Sequence, residues 1–365
     1  MLKFHSLQVK ARDAIAEDAV RITFAVPQDL RESYRFNAGQ HVAVRLPIGD
    51  GDVRRTYSIA CPTDSADLCI GVRVQAGGRV SSFLAEQLAV GQSLEVLTPN
   101  GNFHARVDPR QAKRYVAFAA GSGITPVISI AATTLAFEPR SRFILFYGNR
   151  TTASTMFLDD VLALKNRYPA RFSVHFVMSR ESQEVDLFNG RLDAARVREF
   201  AGVFFDASAV DEFFICGPDT MVAEVDSALR ALGTQGKIHS ELFTTADFPI
   251  TLPLSQGEGG GGYDLSGSKA ASVTHVSILM DGRRRTFVMP RDAGESVLEA
   301  ATRAGLDLPY SCLGGVCSTC RTRVIAGSVH MERNQALEQR EMDAGYVLCC
   351  QSRPLTPELE LTYDE

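Results

Sequence analysis

Pro309-Tyr310-Ser311-Cys312-Leu313-Gly314-Gly315-Val316-Cys317-Ser318-Thr319-Cys320 is the stretch from which the rest of the chain is read. It places three cysteines at the spacing C-x4-C-x2-C, and Cys350 follows after 29 further residues. Thiolates at this spacing suit a [2Fe–2S] centre. The residues between the thiols are mostly small. They let backbone N–H groups approach the sulfides, and such hydrogen bonds help set a reduction potential. Two other readings exist, a structural zinc site and a loose set of buried thiols. Zinc sites usually join two short C-x2-C units, and the second unit is missing here. Cys61, Cys69 and Cys216 fit core positions better than ligand positions.

Working outward from this run, Val276 to Met289 reads as a hairpin turning at Asp281-Gly282. Ser296 to Ala304 reads as a helix that Gly305 ends. Before the hairpin, residues 253–272 hold Gly257 and Gly259 to Gly262 with little apolar content, the composition of a flexible linker. About 20 such residues would span roughly 25 Å on average.

From about residue 112 to the linker, strands and helices alternate. Tyr115–Ala119, Phe143–Tyr147, Phe172–Met178 and Glu212–Cys216 read as strands. Helices are expected around Met156–Arg167 and after Gly217-Pro218, the latter ending at Gly233. That alternation predicts a parallel sheet with helical crossovers. Residues 1 to about 105 instead show short alternating strands, among them Val20–Phe24, His41–Val44 and Gly71–Val74, with one helix near Ser82–Leu88. They predict a small antiparallel barrel.

Composition narrows the class. The chain has 365 residues, is 45% hydrophobic and 22% charged, and carries a net charge of −5. These values exclude wholesale disorder, and there is no basic surplus to suggest nucleic acid as a partner. The uncharged run Tyr115–Phe137 is long enough for a membrane span. Its Gly121-Ser122-Gly123 and Thr125-Pro126 punctuation fits a strand, turn and helix better. No apolar signal core follows Met-Leu-Lys-Phe-His-Ser, so a cytoplasmic protein is expected, with no membrane partner.

The C-terminal part resembles the plant-type ferredoxins from about residue 273 to 365, Pro309-Tyr310-Ser311 before the first cysteine included. That resemblance implies a β-grasp fold and a metal-ligand set of Cys312, Cys317, Cys320 and Cys350. The family's 29-residue interval favours Cys350 over Cys349, which reads as a packing thiol. Upstream, Arg55-Thr56-Tyr57-Ser58 and Gly77-Gly78-Arg79-Val80-Ser81-Ser82-Phe83-Leu84 resemble the R-x-Y-S and G-x-x-S-x-x-L signatures of the ferredoxin–NADP reductase family. In that family the arginine pairs with flavin phosphate and the tyrosine stacks on the isoalloxazine. The serine bonds near the reactive nitrogen, and the helix start holds the pyrophosphate. The resemblance carries these roles to Arg55, Tyr57 and Ser58, and to Gly78 with Val80, Ser81 and Ser82.

Gly121-Ser122-Gly123-Ile124-Thr125-Pro126 puts proline where the usual dinucleotide fingerprint has a third glycine. Thr125 is expected to cap the helix, with Pro126 at its first position. The reductase family has this G-x-G-x-T-P form. It also has the partner motif found here as Cys216-Gly217-Pro218, whose cysteine and glycine approach the nicotinamide. Arg150, Ser179 and Arg180 end successive strands and could hold a 2′-phosphate by charge-assisted hydrogen bonds. They could equally be solvated surface groups. The balance favours NADPH, with NADH possible. Related reductases set an aromatic against the flavin at a position like Phe243, which could instead close the domain core.

The resemblance therefore implies an FAD-binding β-barrel at 1–108, a Rossmann-like α/β NAD(P)-binding domain at 109–248, a linker at 249–272 and an α+β ferredoxin domain at 273–365. It implies an oxidoreductase that moves electrons from NADPH to FAD, then to [2Fe–2S], then to an oxygenase. Tyr57, Ser58 and Cys216 are the expected catalytic residues. Dispersed segments such as Ile22-Thr23-Phe24-Ala25-Val26-Pro27 and Tyr147-Gly148-Asn149-Arg150-Thr151 point, within that family, to a di-iron oxygenase of phenylacetate degradation as acceptor. The chain has no paired Glu-x-x-His motifs of its own for a di-iron site. The alternatives are a reductase for another multicomponent oxygenase and a redox-sensing iron–sulfur module. The latter leaves the nucleotide motifs unexplained.

Overall fold

The computed structural model describes residues 2–48, 51–243, 273–291 and 294–364. The expected linker at 249–272 lies outside the described residues.

The first strands are β1 (Phe4–Ala16), β2 (Ala19–Ala25), β3 (His41–Ile48), β4 (Gly51–Ser58), β5 (Leu68–Arg73) and, after the short helix α1 (Arg79–Ser82), β6 (Ser93–Leu97). They form one sheet in the order β4-β3-β6-β1-β2-β5. The pairs β1–β2 and β2–β5 are antiparallel. Ile59, one residue past β4, bridges Ile70 of β5 and so returns the sheet towards its own first edge. The predicted helix near Ser82–Leu88 starts earlier. Gly77 takes φ +73°, α1 begins at Arg79, and Phe83–Gln87 continues as a π-helical turn.

The parallel sheet follows. Its elements are β7 (Arg114–Ala120), α2 (Ile124–Phe137), β8 (Arg142–Asn149), α3 (Leu158–Arg167), β9 (Phe172–Met178), α4 (Ala194–Val203), β10 (Glu212–Gly217), α5 (Asp219–Ala231) and β11 (Lys237–Leu242). The strand order is β11-β10-β7-β8-β9, and all four pairings are parallel. The chain runs outward from β7 to β9, then returns to the other side of β7. The order therefore reverses between β7 and β10, where ligands bind in such sheets. Phe118, Phe146, Phe200, Phe213 and Ile215 are fully buried in its core. Phe146 and Phe200 stack with ring centroids 4.4 Å apart. Helix α3 begins two residues after the expected Met156, because Phe157 adopts φ +55°. The run Tyr115–Phe137 is a strand and a helix, and among the described residues no helix is long and apolar enough to cross a membrane.

The C-terminal elements are β12 (Val273–Met280), β13 (Arg283–Pro290), α6 (Val297–Arg303), β14 (Arg321–Ala326), β15 (Val329–Met331), α7 (Gln339–Asp343), β16 (Tyr346–Leu348), β17 (Ser352–Pro354) and β18 (Glu358–Thr362). The sheet order is β13-β12-β18-β14-β16, with β12–β18 parallel and its other pairs antiparallel. The hairpin turns where expected, with φ +57° at Asp281 and +69° at Gly282, the left-handed pair of a two-residue turn. Ser296 caps α6 in a reciprocal box with Glu299, a feature worth about 1 kcal/mol.

The described chain forms two compact units. One holds Ala43–Thr56, hence nearly all of β3 and β4, together with the C-terminal elements. The other holds His5–Val42 and the chain from Tyr57 through β11.

Candidate redox site

At the reversal between β7 and β10, two loops touch through missing side chains. A Cβ on Gly123 would lie 2.1 Å from the Cys216 carbonyl oxygen, so only glycine fits there. Gly121 takes φ +55°. The Tyr147 hydroxyl lies 3.0 Å from the Gly121 carbonyl and 3.1 Å from that of Met156, tying the turn to the sheet. The predicted cap is not found. Gly121–Gly123 winds as a 3-10 turn straight into α2, so Gly123 takes the cap position and Thr125 falls inside the helix. The Thr125 hydroxyl donates to the Ser122 carbonyl at 2.9 Å. Pro126 stands third rather than first, still within the turn whose amides lack helical partners.

Cys216 has no exposed surface. Burial, with the Glu241 carboxylate adding to it, pushes its thiol well above the ordinary value. It is therefore a neutral thiol at working pH. Glu241 lies opposite Cys216 in the β10–β11 register. Its carboxylate accepts from the Ser58 hydroxyl at 3.3 Å and lies 3.8 Å from His41 Nδ1. Ser58, Cys216 and Glu241 are thus gathered from three strands, with His41 behind them. Sequence reading reached Ser58 and Cys216 but missed Glu241 and His41. Glu241 stands two residues before Phe243, yet only the strand register reveals it. Phe243 itself follows β11 and is half-buried.

At the other flavin-signature segment, Gly78 precedes α1. A Cβ there would come within 2.6 Å of Ser81 Oγ and 3.0 Å of the Gln75 carbonyl. Ser81 Oγ accepts from the Gln75 amide at 3.0 Å and donates to the Gly78 carbonyl at 3.1 Å. Its hydroxyl shapes the turn, and Val80 and Ser81 are buried at the helix start while Ser82 is half-buried. In β4, Arg55 donates to the Arg54 carbonyl at 2.8 Å. Strand alternation puts Arg55 and Tyr57 on one face and Arg54 and Thr56 on the other.

Arg150, Ser179 and Arg180 are brought side by side. The Ser179 amide donates to the Asn149 carbonyl and the Arg180 amide to the Arg150 carbonyl, each at 2.9 Å. All three residues are exposed, at the carboxyl ends of β8 and β9. Glu181, next in line, is held at the neighbouring loop by Thr152, whose amide donates to it at 2.8 Å.

The four cysteines of the C-terminal run form two thiol pairs. Cys312 faces Cys317, whose hydrogen bond holds the Cys312 thiol down to about 7 with help from the Val316 and Gly314 amides. Cys320 faces Cys350, and that contact with burial pushes the Cys320 thiol well up. Among the described residues no three ligating side chains converge on a single ion. Two pairs suit two irons that share bridging sulfides, since each iron then needs two thiolates. The loop carrying the first three cysteines is bent through left-handed residues, Leu313 at φ +56°, Gly315 at +77° and Ser318 at +53°. The Gly314 amide already points at Cys312 Sγ, 3.4 Å away. Gln351 pins the loop by donating to the Leu313 carbonyl at 2.7 Å. Cys349 is fully buried in the same C-terminal core as Cys320 and Cys350, and its amide donates to the Cys320 carbonyl at 3.1 Å.

Three families match in the same order as these sites. The oxidoreductase FAD-binding domain covers residues 6–105, the oxidoreductase NAD-binding domain 118–227, and the 2Fe-2S iron-sulfur cluster binding domain 279–355. The chain is 41% identical to one component of the 1,2-phenylacetyl-CoA epoxidase of Escherichia coli, over 100% of this chain and 99% of that one. It is 32% identical to the ferredoxin reductase component of 3-ketosteroid-9-alpha-monooxygenase of Rhodococcus rhodochrous, over 95% and 93%. Among solved structures, phthalate dioxygenase reductase superposes with a TM-score of 0.57 at 23% identity, covering 98% of each chain. An intact type IV self-sufficient cytochrome P450 monooxygenase gives 0.67 at 25% identity over 98% of this chain, which spans 41% of that longer protein.

Proposed function

We propose, for a chain that belongs to the ferredoxin–NADP reductase family and carries electrons from NAD(P)H through FAD and a [2Fe–2S] cluster to an oxygenase, that the acceptor is a di-iron oxygenase acting on phenylacetyl-coenzyme A and the donor is NADPH. The observation that carries the acceptor is the end-to-end 41% identity with the epoxidase component, linker region included. The proposed domain limits are 1–108, 109–248 and 273–365, with 249–272 between them, in a cytoplasmic protein whose thiols stay reduced.

When bound, FAD takes an electron pair from the nicotinamide and the cluster passes electrons on singly, and the protein supplies orientation and electrostatics. Gly123 lets the Cys216 backbone close against it and Gly217 makes way for Met221 and Ala120, a fit that would set Cys216 beside the nicotinamide, while Gly121 gives the turn its left-handed bend. Thr125 and Pro126 lie in the first turn of α2, whose free amides would hold the dinucleotide phosphates. Ser58, whose hydroxyl donates to Glu241, would lie against the flavin ring. Glu241 and His41 keep a polar edge beside an otherwise buried thiol. Tyr57 would stack on the flavin and Phe243 would close the other side. Arg55 and the α1 start, from Gly78 through Val80, Ser81 and Ser82, would hold its phosphates. Pro218 starts α5 behind the nicotinamide site. Cys312 with Cys317, and Cys320 with Cys350, would each hold one iron. Arg150, Ser179 and Arg180 would take the 2′-phosphate of NADPH.

The test is reconstitution. The loaded chain, NADPH, the candidate di-iron oxygenase and phenylacetyl-coenzyme A are combined, and ring-epoxide formation that depends on this chain is expected. Brisk reduction of an artificial acceptor without epoxide would remove the named acceptor and point to another oxygenase. Equal kcat/KM for NADH and NADPH would remove the donor preference.

A further inference from the structure

The unit that contains the C-terminal elements also contains β4 as far as Thr56, and the contact between them is specific. Arg54 of β4 is 5% exposed. Its guanidinium pairs with Asp307 at 2.6 Å, donates to the Leu308 carbonyl at 3.3 Å and lies 4.0 Å from the centre of the Tyr310 ring. Two residues on, Thr56 and Ser311 share a 2.5 Å hydrogen bond between their hydroxyls. Arg45 of β3 adds a longer contact to Asp307 at 3.8 Å. Every one of these C-terminal residues lies in the segment that leads into Cys312.

We propose that Arg54 and Thr56 form a seat for the cluster loop on β4, and that electron passage from the flavin side to the cluster side depends on this seat being occupied. The proposal rests on the assignment of Cys312 as a cluster ligand and of Arg55 and Tyr57 as flavin residues. Strand alternation then makes β4 two-faced. Arg55 and Tyr57 serve the flavin, while Arg54 and Thr56, between and beside them, hold the cluster loop. The covalent path from Tyr57 to Cys312 is interrupted once, at the Thr56–Ser311 hydrogen bond. One electron crosses at a time, oxidising the donor side by one and reducing the acceptor side by one, and no bond is made or broken.

The chemistry of the seat is suited to reversible use. Arg54 is buried and its partner Asp307 is 68% exposed at the side chain. A guanidinium left without its carboxylate in a buried site is strongly disfavoured, so the seat draws the loop back. The exposed carboxylate lets water and salt compete for it, so the loop can leave to meet the oxygenase. A rate limited by the seated fraction falls in proportion to that fraction.

The experiment uses the full, cofactor-loaded chain with Asp307→Arg, and separately Thr56→Val. Asp307 is exposed, so the reversal tests the seat without opening a core. Flavin bleaching and cluster bleaching are followed separately after anaerobic mixing with NADPH, and amide hydrogen exchange of β4 and residues 306–311 is measured in parallel. Asp307→Arg is expected to slow cluster reduction about tenfold at unchanged flavin reduction, with faster exchange in both segments. Thr56→Val is expected to slow cluster reduction about threefold, and Arg54→Asp combined with Asp307→Arg to recover most of the loss. Unchanged cluster reduction in Asp307→Arg, or equal slowing of both cofactors, would overturn the proposal. Failure of the cofactor assignment is seen separately: the unaltered chain would then show no cluster signal, while the exchange arm would still report whether the contact exists.

Discussion

The loops proposed for the cluster and for the nicotinamide would hold their cofactors by opposite means. Around Cys312–Cys320 the chain supplies side chains, three thiols joined by that of Cys350, all proposed to bond to metal. Around Gly121–Gly123 and Cys216–Gly217 it withholds them, and the 2.1 Å that a Gly123 Cβ would leave to the Cys216 carbonyl shows how little space remains. A bonded cofactor needs particular atoms at a particular spacing. A stacked cofactor needs a surface of the right shape, set by what is absent.

That contrast sets the order of expected effects. Removing a bond should be absolute: Cys320→Ser is expected to abolish the cluster's visible absorbance and cluster reduction, with flavin reduction by NADPH retained. Retention of a normal cluster spectrum would break the ligand assignment. Adding a side chain where none fits should be graded. Gly123→Ala must displace one loop by an ångström or so, and misplacement on that scale costs about 100-fold in a reaction that depends on alignment. Flavin reduction should fall by roughly that factor with the cluster spectrum intact. Exposed charge should matter less again. Arg180→Gln is expected to raise KM for NADPH about tenfold, the worth of one charge-assisted hydrogen bond, and to leave KM for NADH alone. Equal effects on both nucleotides would remove Arg180 from the 2′-phosphate.

The smallest effect is a flat line. An ordinary thiol ionises near pH 8.5, about where a reactive cysteine would change the rate. Burial and the Glu241 carboxylate raise the Cys216 thiol, so its neutral form persists to higher pH than that. Flavin reduction should therefore show no step between pH 8 and 9 that Cys216→Ala removes. A step lost in the variant would mean that Cys216 reacts as a thiolate.

The same contrast explains what the sequence made legible. Ligands that bond are residues, so spacing and resemblance could single out Cys312, Cys317, Cys320 and Cys350 as the proposed set, and the structure draws them into two pairs. The Asp281-Gly282 hairpin and the helix that Gly305 ends were equally readable, because local geometry demands those residue types, whereas the Ser296 cap emerges only in the structure. Thr125 was assigned a cap that Gly123 occupies, since a threonine before a proline looks the same whether the turn ahead is open or already wound. The short strands β15 to β17, three residues each, carry too little alternation to be read alone. Glu241 was missed because its role comes from a register with Cys216 across 25 residues of chain. The barrel's two-faced strand was half legible: Arg55 and Tyr57 resemble a known signature, whereas Arg54 and Thr56 gain meaning only from Asp307 and Ser311.

The most direct test of the account is an anaerobic stopped-flow record of the loaded chain mixed with one equivalent of NADPH, read at flavin and cluster wavelengths together. Ordered traces are expected, flavin bleaching first and the cluster following within the same molecules at a rate independent of protein concentration. A cluster that is reduced as fast in chain stripped of FAD, or whose reduction rate rises in proportion to protein concentration, would contradict it.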